Sequence, residues 1–136
     1  MRESTLIPAI GITGGIITSA LGGWDYFLQA LVILMVIDYF SGLIVAAVFK
    51  KSKKSESGTL NNHIGFKGIV KKCMVLMMVL IGLQIDNVIG WNFVRYAVII
   101  AFVTNELISI AENAGLMGIK VPDVIQKAID ILKKKG

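Results

Sequence analysis

The sequence predicts an all-α integral membrane protein, a single membrane domain over residues 1–136. Three observations point there. Hydrophobic residues make up 55% of the 136 and charged residues 17%, against about 25% charged in a typical soluble domain, and the mean hydropathy is +0.75. So much apolar surface cannot be hidden inside one small core, and lipid is the medium that accepts it. The apolar residues are gathered in four long stretches. The bases are segregated. Seven lysines fall between Lys50 and Lys72, five between Lys120 and Lys135, and Arg2 is at the N-terminus, which leaves only Arg95 of the 14 bases.

The first stretch, residues 5–23, carries no charge, but Pro8, Thr13, Thr18, Ser19 and five glycines weaken its preference for lipid. It also has the length of a signal peptide, with Thr18-Ser19-Ala20 as a poor cleavage site. The second stretch, 27–49, reaches the roughly 20 residues a spanning helix needs and holds one charge, Asp38. The third, 69–89, has a purely apolar centre, Cys73 to Ile85 but for Gln84, of only 13 residues, about 20 Å at 1.5 Å per residue. It spans if Ile69 and Val70 are counted in and the flanking lysines reach out to the interface. The fourth, 92–114, is long enough and contains Arg95 and Glu106. Residues 50–68 read as a basic cytoplasmic loop, rich in Ser, Gly and Asn at its start. Residues 121–135 read as a short amphipathic helix with Pro122 in the first helical position and Lys133 to Lys135 in the last turn. Ile125, Ala128, Ile129 and Leu132 share one face of it, a face that suits either the membrane interface or a neighbouring helix.

The charge distribution sets the topology expected. The connections Gly22–Tyr26 and Asp86–Asn92 carry acids and no base, and each holds a tryptophan suited to the headgroup zone. Four spans with both termini in the cytoplasm put every base except Arg95 inside, as the positive-inside rule requires. A three-span alternative leaves the first stretch lying on a surface.

Two groups of residues are candidates for function. Gly11, Gly15, Ser19 and Gly23 recur every four residues and would form a small-residue stripe along the first helix, where helix backbones approach closely in lipid. Gly42 on the second helix belongs with this packing set. The other group is polar: Asp38 and Ser41 on the second helix, Lys72 on the third, and Asn105, Glu106, Ser109, Glu112 and Asn113 on the fourth. Counted from the outer turns at 1.5 Å per residue, Asp38, Lys72 and Glu106 all lie roughly 20 Å deep. Ionised groups facing lipid are costly, so these are expected to be paired or to face water. The polar seam then either lines a pore and joins subunits or is an internal ion-pair cluster that fixes the fold. No catalytic residue, metal ligand set or cofactor site is expected. His63 and Cys73 stand alone, and Gly65-Phe66-Lys67-Gly68 is not a phosphate loop.

Further residues carry a resemblance. Trp24-Asp25 is followed by a Leu/Val-rich helix, then by Ile37-Asp38-Tyr39-Phe40-Ser41-Gly42. A basic loop with serine leads to Gly65-Phe66-Lys67-Gly68-Ile69-Val70-Lys71-Lys72, and then to Ile85-Asp86. Asn105-Glu106-Leu107-Ile108-Ser109-Ile110-Ala111-Glu112-Asn113-Ala114 and Gly118-Ile119-Lys120-Val121-Pro122 complete the pattern. Over about residues 22–133 the chain resembles the phage lysis holins grouped with the clostridial toxin-secretion holins. It departs from them at Phe40, where Thr or Ile is expected, and at Ala111, where Leu is usual. The resemblance implies a non-enzymatic protein of the host bacterium's cytoplasmic membrane that forms a homo-oligomer in the lipid bilayer and then opens a lesion. It implies functional coupling to an endolysin or a secreted toxin, an antiholin as a further partner, and no nucleic acid. A selective ion or small-solute channel, and a passive membrane anchor, are the alternatives from other classes.

Overall fold

The structure is a computed structural model that describes residues 2–135, and among these it holds helices and no strand. Helix α1 covers Glu3–Ala20, α2 Tyr26–Ile44 with a π-helical continuation over Val45–Phe49, α3 Asn62–Ile89, α4 Val94–Leu116 and α5 Asp123–Lys135. Three of them are long and apolar enough to cross a membrane: Tyr26–Phe49, Asn62–Ile89 and Val94–Leu116.

Each boundary has a local cause. Asp25 caps α2 by accepting the Leu28 N–H at 2.9 Å, and Asn61 caps α3 by accepting the Ile64 N–H at 2.8 Å. Both use the side-chain oxygen of a residue in extended backbone, the usual N-cap arrangement. Gly90, at φ +84°, ends α3 in the left-handed conformation that glycine reaches at no steric cost.

Helix α4 is the hub, packing on one side against α2 and on the other against α3, while α2 and α3 touch each other far less. The core between them is Leu28, Leu31, Met35, Val79 and Ile99, closed at one end by Leu21. Gly82 lets α3 come close to α4: a side chain there would start 3.2 Å from the Arg95 Cα. The opposite faces are apolar and uncovered. Phe40, Ile69, Met77 and Val88 are exposed, and only 11% of the apolar window of α3 is buried within the chain. Faces of that kind belong against lipid.

Three of the four expected spans are present among these helices. Residues 5–23 are not one continuous helix: α1 stops at Ala20, and Leu21 to Asp25 form a turn. Its glycines, hydroxyls, Glu3 and Pro8 make it less apolar than the other three. None of its residues is buried and no helix packs along it. Gly11 and Gly15 face open space, and Gly23 lies outside the helix at φ +95°, so it is not part of a stripe.

The basic loop is also shorter than expected. Helix α3 begins at Asn62, so the connection is 50–61 rather than 50–68, and Lys67, Lys71 and Lys72 are helical. The third stretch, which looked short, is the longest helix, with 28 residues. The tail helix starts one residue later than expected. Pro122 precedes it and accepts the N–H groups of Ile125 and Gln126. Of the two environments open to its apolar face, the structure shows a neighbouring helix. Helix α5 folds back antiparallel to α4, with Ile129 beside Ile108 and Ala111, and Leu132 beside Ile100 and Val103.

Candidate functional site

Glu106, Ser109 and Asn113 are spaced three and four apart on α4, so they share the face turned toward α2 and α3. Asp38 and Ser41 project from α2 with the same spacing, and Lys72 comes across from α3. These six side chains meet in one polar knot where the three spanning helices converge.

Lys72 is its centre. Its Nζ donates to Asp38 Oδ2 at 2.8 Å and to both Glu106 oxygens, at 3.1 and 2.9 Å. The other Asp38 oxygen accepts the Ser109 hydroxyl at 2.6 Å and the Asn113 amide at 3.2 Å. The Asn113 amide also donates to Ser41 Oγ at 2.8 Å, while the Ser41 hydroxyl donates to the Asp38 backbone carbonyl at 3.0 Å. The side chains of Lys72, Asp38 and Glu106 keep only 18%, 7% and 10% of their surface exposed. Every buried polar side-chain atom among the described residues has a partner, which low-dielectric surroundings demand. The knot nevertheless holds two carboxylates against one ammonium group.

Two residues expected in the seam lie outside the knot: Asn105 and Glu112 are exposed. The reason is helical phase. They are seven residues apart and share a stripe turned about 100° from that of Glu106 and Asn113. Gly42 lies beside the knot, where an added Cβ would sit 3.8 Å from the Asn113 amide nitrogen, an ordinary contact. Close approach of backbones therefore does not require glycine there.

A second polar cluster, at the opposite end of the helices, was not anticipated. Arg95 is buried at 4% exposure. Its Nε donates to the Leu21 carbonyl, its NH2 nitrogen to the Gly23 carbonyl at 3.2 Å, and its NH1 nitrogen to Asp25 Oδ2 at 2.8 Å. Gly22 and Gly23 make this turn at φ +97° and +95°, and a Cβ on Gly22 would run into the arginine side chain. Asp86 caps the start of α4 by accepting the Val94 and Arg95 N–H groups at 2.9 and 3.0 Å, where the helix dipole favours a carboxylate. Burial pushes the Asp25 carboxyl up, but the Arg95 hydrogen bond and the Leu28 N–H outweigh it, so Asp25 titrates below its usual 3.8. The sequence did hold a signal: Arg95 is the one base left at the end where the connecting turns carry only acids.

Neither cluster resembles a reaction centre. The knot offers ion pairs, no nucleophile beside a base, and no group of three or more His, Cys, Asp or Glu placed to hold a metal occurs among the described residues. It is the kind of buried ionic cluster that marks an ion path, a subunit contact or a switch in membrane proteins.

Comparison with known proteins gives this arrangement its context. The family model described as the bacteriophage holin family matches residues 15–134. An uncharacterized protein of Listeria innocua is 40% identical over 134 residues, covering 96% of this chain and 90% of its own. An uncharacterized protein of Clostridium perfringens is 30% identical over 126 residues, covering 90% and 87%. A protein of Bacillus phage phi105 named a probable holin is 28% identical over 108 residues, covering 79% and 74%. No solved structure matches. With its knot, its three apolar spans and a family match over nearly its whole length, the chain is a helical membrane protein that belongs to the bacteriophage holin family.

Proposed function

We propose that the protein acts as a holin. It gathers in the cytoplasmic membrane of a bacterial host, assembles with copies of itself and opens a lesion. A cell-wall-degrading enzyme or a secreted toxin leaves through it. The observation that carries this reading is the polar knot: charged groups from the three candidate spanning helices held together where those helices converge. Such groups are stable while paired and equally stable when facing water. A rearrangement that separates the helices therefore supplies a hydrophilic wall at once.

Assembly is supported by what is left uncovered. Asn105 is exposed midway along a spanning helix, and an amide in lipid gains from a partner on another helix. Helix α1 offers apolar residues all round, buries none of them and packs along no other helix. We place it across the bilayer in the assembled state, which completes four spans with both termini in the cytoplasm. The Arg95 clamp supports this, because it brings the α1–α2 turn to the α3–α4 turn. The basic loop 50–61 then lies inside and the acidic turns outside. Partner choice, including an antiholin, would be made through the same faces.

Because Gly15 has open space around it, Gly15→Leu leaves the folded single chain intact and is expected to shift assembly. Native electrophoresis of the extracted protein reads this directly, and an unchanged oligomer removes α1 from the subunit contact. The function itself is tested by inducing the chain in a bacterium with and without a co-expressed endolysin. Abrupt lysis that needs both proteins is the expected result. Ion-specific conductance with no escape of protein would identify a selective channel instead, a reading that a single buried acid–base cluster also fits.

A further inference from the structure

One face of α4 stays uncovered among the described residues. Arg95 and Val98 lie against α3, where Gly82 approaches both, and Glu106, Ser109 and Asn113 turn into the knot. Helix α5 lies over Ile100, Val103, Ile108 and Ala111. In the gap between α3 and α5, Asn105 and Glu112 are exposed together with Ala97 and Ala101, at spacings that keep the four on one stripe of the helix. The side-chain hydrogen bonds of α4 are made by Arg95, Thr104, Glu106, Ser109 and Asn113. Asn105 and Glu112 make none among the described residues, and no ion pair there includes Glu112.

Asn105 stands at the midpoint of the 23-residue α4, eleven residues from Val94 and eleven from Leu116. That is roughly 16 Å from either end, so in a spanning α4 the amide sits at the centre of a hydrocarbon layer about 30 Å thick. Its side chain is too short to reach the headgroups as a lysine does. Lipid offers nothing to its two N–H donors or its carbonyl. Few groups of this chain can meet it at that depth. Helix α1 carries hydroxyls but no amide and no base. Gln29 lies three residues inside the start of α2, and Gln84 five residues from the end of α3, both far from mid-helix. A second copy in the same membrane runs parallel to the first and brings an identical amide to the same level. Two asparagines facing each other across a two-fold axis each donate to the other's carbonyl, and such a contact uses one patch on both copies.

The rest of the face fits the same occupant. Toward Val94, Ala97 and Ala101 leave room for two backbones to approach. Toward Leu116, Glu112 borders a groove together with Gln126 and Lys133 of α5. The patch thus carries an acid and a base side by side, and a two-fold axis sets each copy's Glu112 against its partner's Lys133. We infer that the uncovered face of α4 is the contact between two parallel copies of the chain, with Asn105 paired to Asn105 at its centre and Glu112 paired to Lys133 at its inner end. This rests on the proposed assembly of copies and names the face that makes it.

The test is disulfide crosslinking in native membranes, in a Cys73→Ser background. Ala101→Cys is expected to link two copies under mild oxidation, because the two-fold pair holds the two Cα atoms within the short range a disulfide bridges. Met77→Cys, on the uncovered face of α3, is expected not to. Asn105→Leu, added to Ala101→Cys, is expected to lower the yield of linked dimer at low expression about tenfold, while Asn105→Gln keeps the amide and most of the dimer. Glu112→Lys alone and Lys133→Glu alone set like charges across the axis and are expected to lower the yield. Co-expressed with different tags, these two variants are expected to restore it between unlike copies. Linkage at Met77→Cys as efficient as at Ala101→Cys, or a dimer indifferent to Asn105→Leu, would overturn the contact. Unlike copies that pair no better than like ones would overturn the Glu112–Lys133 pairing. Lysis with endolysin is scored in the same cells. Lysis without an Ala101→Cys dimer removes this interface and leaves the proposed function standing, and a dimer without lysis does the reverse.

Discussion

Lys72→Met is expected to be the most damaging single substitution in the spanning helices. It removes the only cation from a knot in which Asp38 and Glu106 both point at that ammonium group. The two carboxylates are left close together with little water. Breaking a buried ion pair by deleting one partner costs about 3–5 kcal/mol, and the partial exposure of Lys72 places this case toward the lower end. The same physics makes an opposite forecast for a triple variant. Asp38→Leu, Lys72→Met and Glu106→Leu together replace the ionic cluster by apolar packing, which is commonly neutral or stabilising. Thermal unfolding of the detergent-extracted protein should therefore show the single variant far below wild type and the triple variant recovered. A folded triple variant that no longer lyses cells would show that the knot serves opening rather than stability. A single variant as stable as wild type would mean that the contacts of Lys72 carry little energy.

The second large effect is expected at Arg95. Arg95→Met leaves the Leu21 and Gly23 carbonyls without their donor and Asp25 without its counter-ion. The Leu21 carbonyl is buried, and a buried acceptor left unpaired costs about 1–3 kcal/mol; Gly23 and Asp25 are half-buried and lose less. The core of α2 and α4 below it stays packed, so the loss should be local: the turn that joins α1 to α2 comes free while the three spans persist. Faster hydrogen exchange or protease cleavage at 21–25 reads it. Arg95→Lys is expected to rescue poorly, because one ammonium group cannot reproduce the planar fork that serves two carbonyls and a carboxylate. The pH dependence follows from Asp25. Its carboxyl titrates lower in the folded protein than unfolded. The stabilisation is therefore complete above the unfolded value of 3.8 and fades as the pH falls through the lower, folded value. The clamp should hold across the neutral range and loosen only in strong acid. A turn already mobile at neutral pH in the wild type would contradict it.

Much of this architecture is legible in the residues, and the failures have physical causes. The second and fourth stretches read correctly because each is a long apolar run with few charges. The third was cut short because Lys71 and Lys72 look like a boundary. Lys72 is instead half-buried against two carboxylates contributed by other helices, a pairing that one-dimensional hydropathy cannot show. The first stretch misled in the other direction. Absence of charge is not the same as apolarity, and its glycines, hydroxyls and Pro8 make it less apolar than the other three stretches. Depth counting brought Asp38, Lys72 and Glu106 to one level, and the structure joins them. Depth says nothing of rotation, which is why Asn105 and Glu112 were grouped with residues whose face they do not share. The Arg95 clamp depends on a buried arginine reaching back 70 residues to Asp25, a long-range contact with no local pattern.

If the protein opens a lesion as proposed, the polar knot meets water at that moment. Ser109 donates directly into the knot, and Cys73 is the chain's one native cysteine. In a Cys73→Ser background, Ser109→Cys places a thiol of nearly the same size at that position. Labelling with a membrane-impermeant maleimide is then followed before and after lysis is triggered in cells. The expected result is no labelling beforehand and rapid labelling once the lesion opens. A thiol that stays unlabelled while endolysin escapes would show that the knot remains closed, and that the lesion is lined by something else.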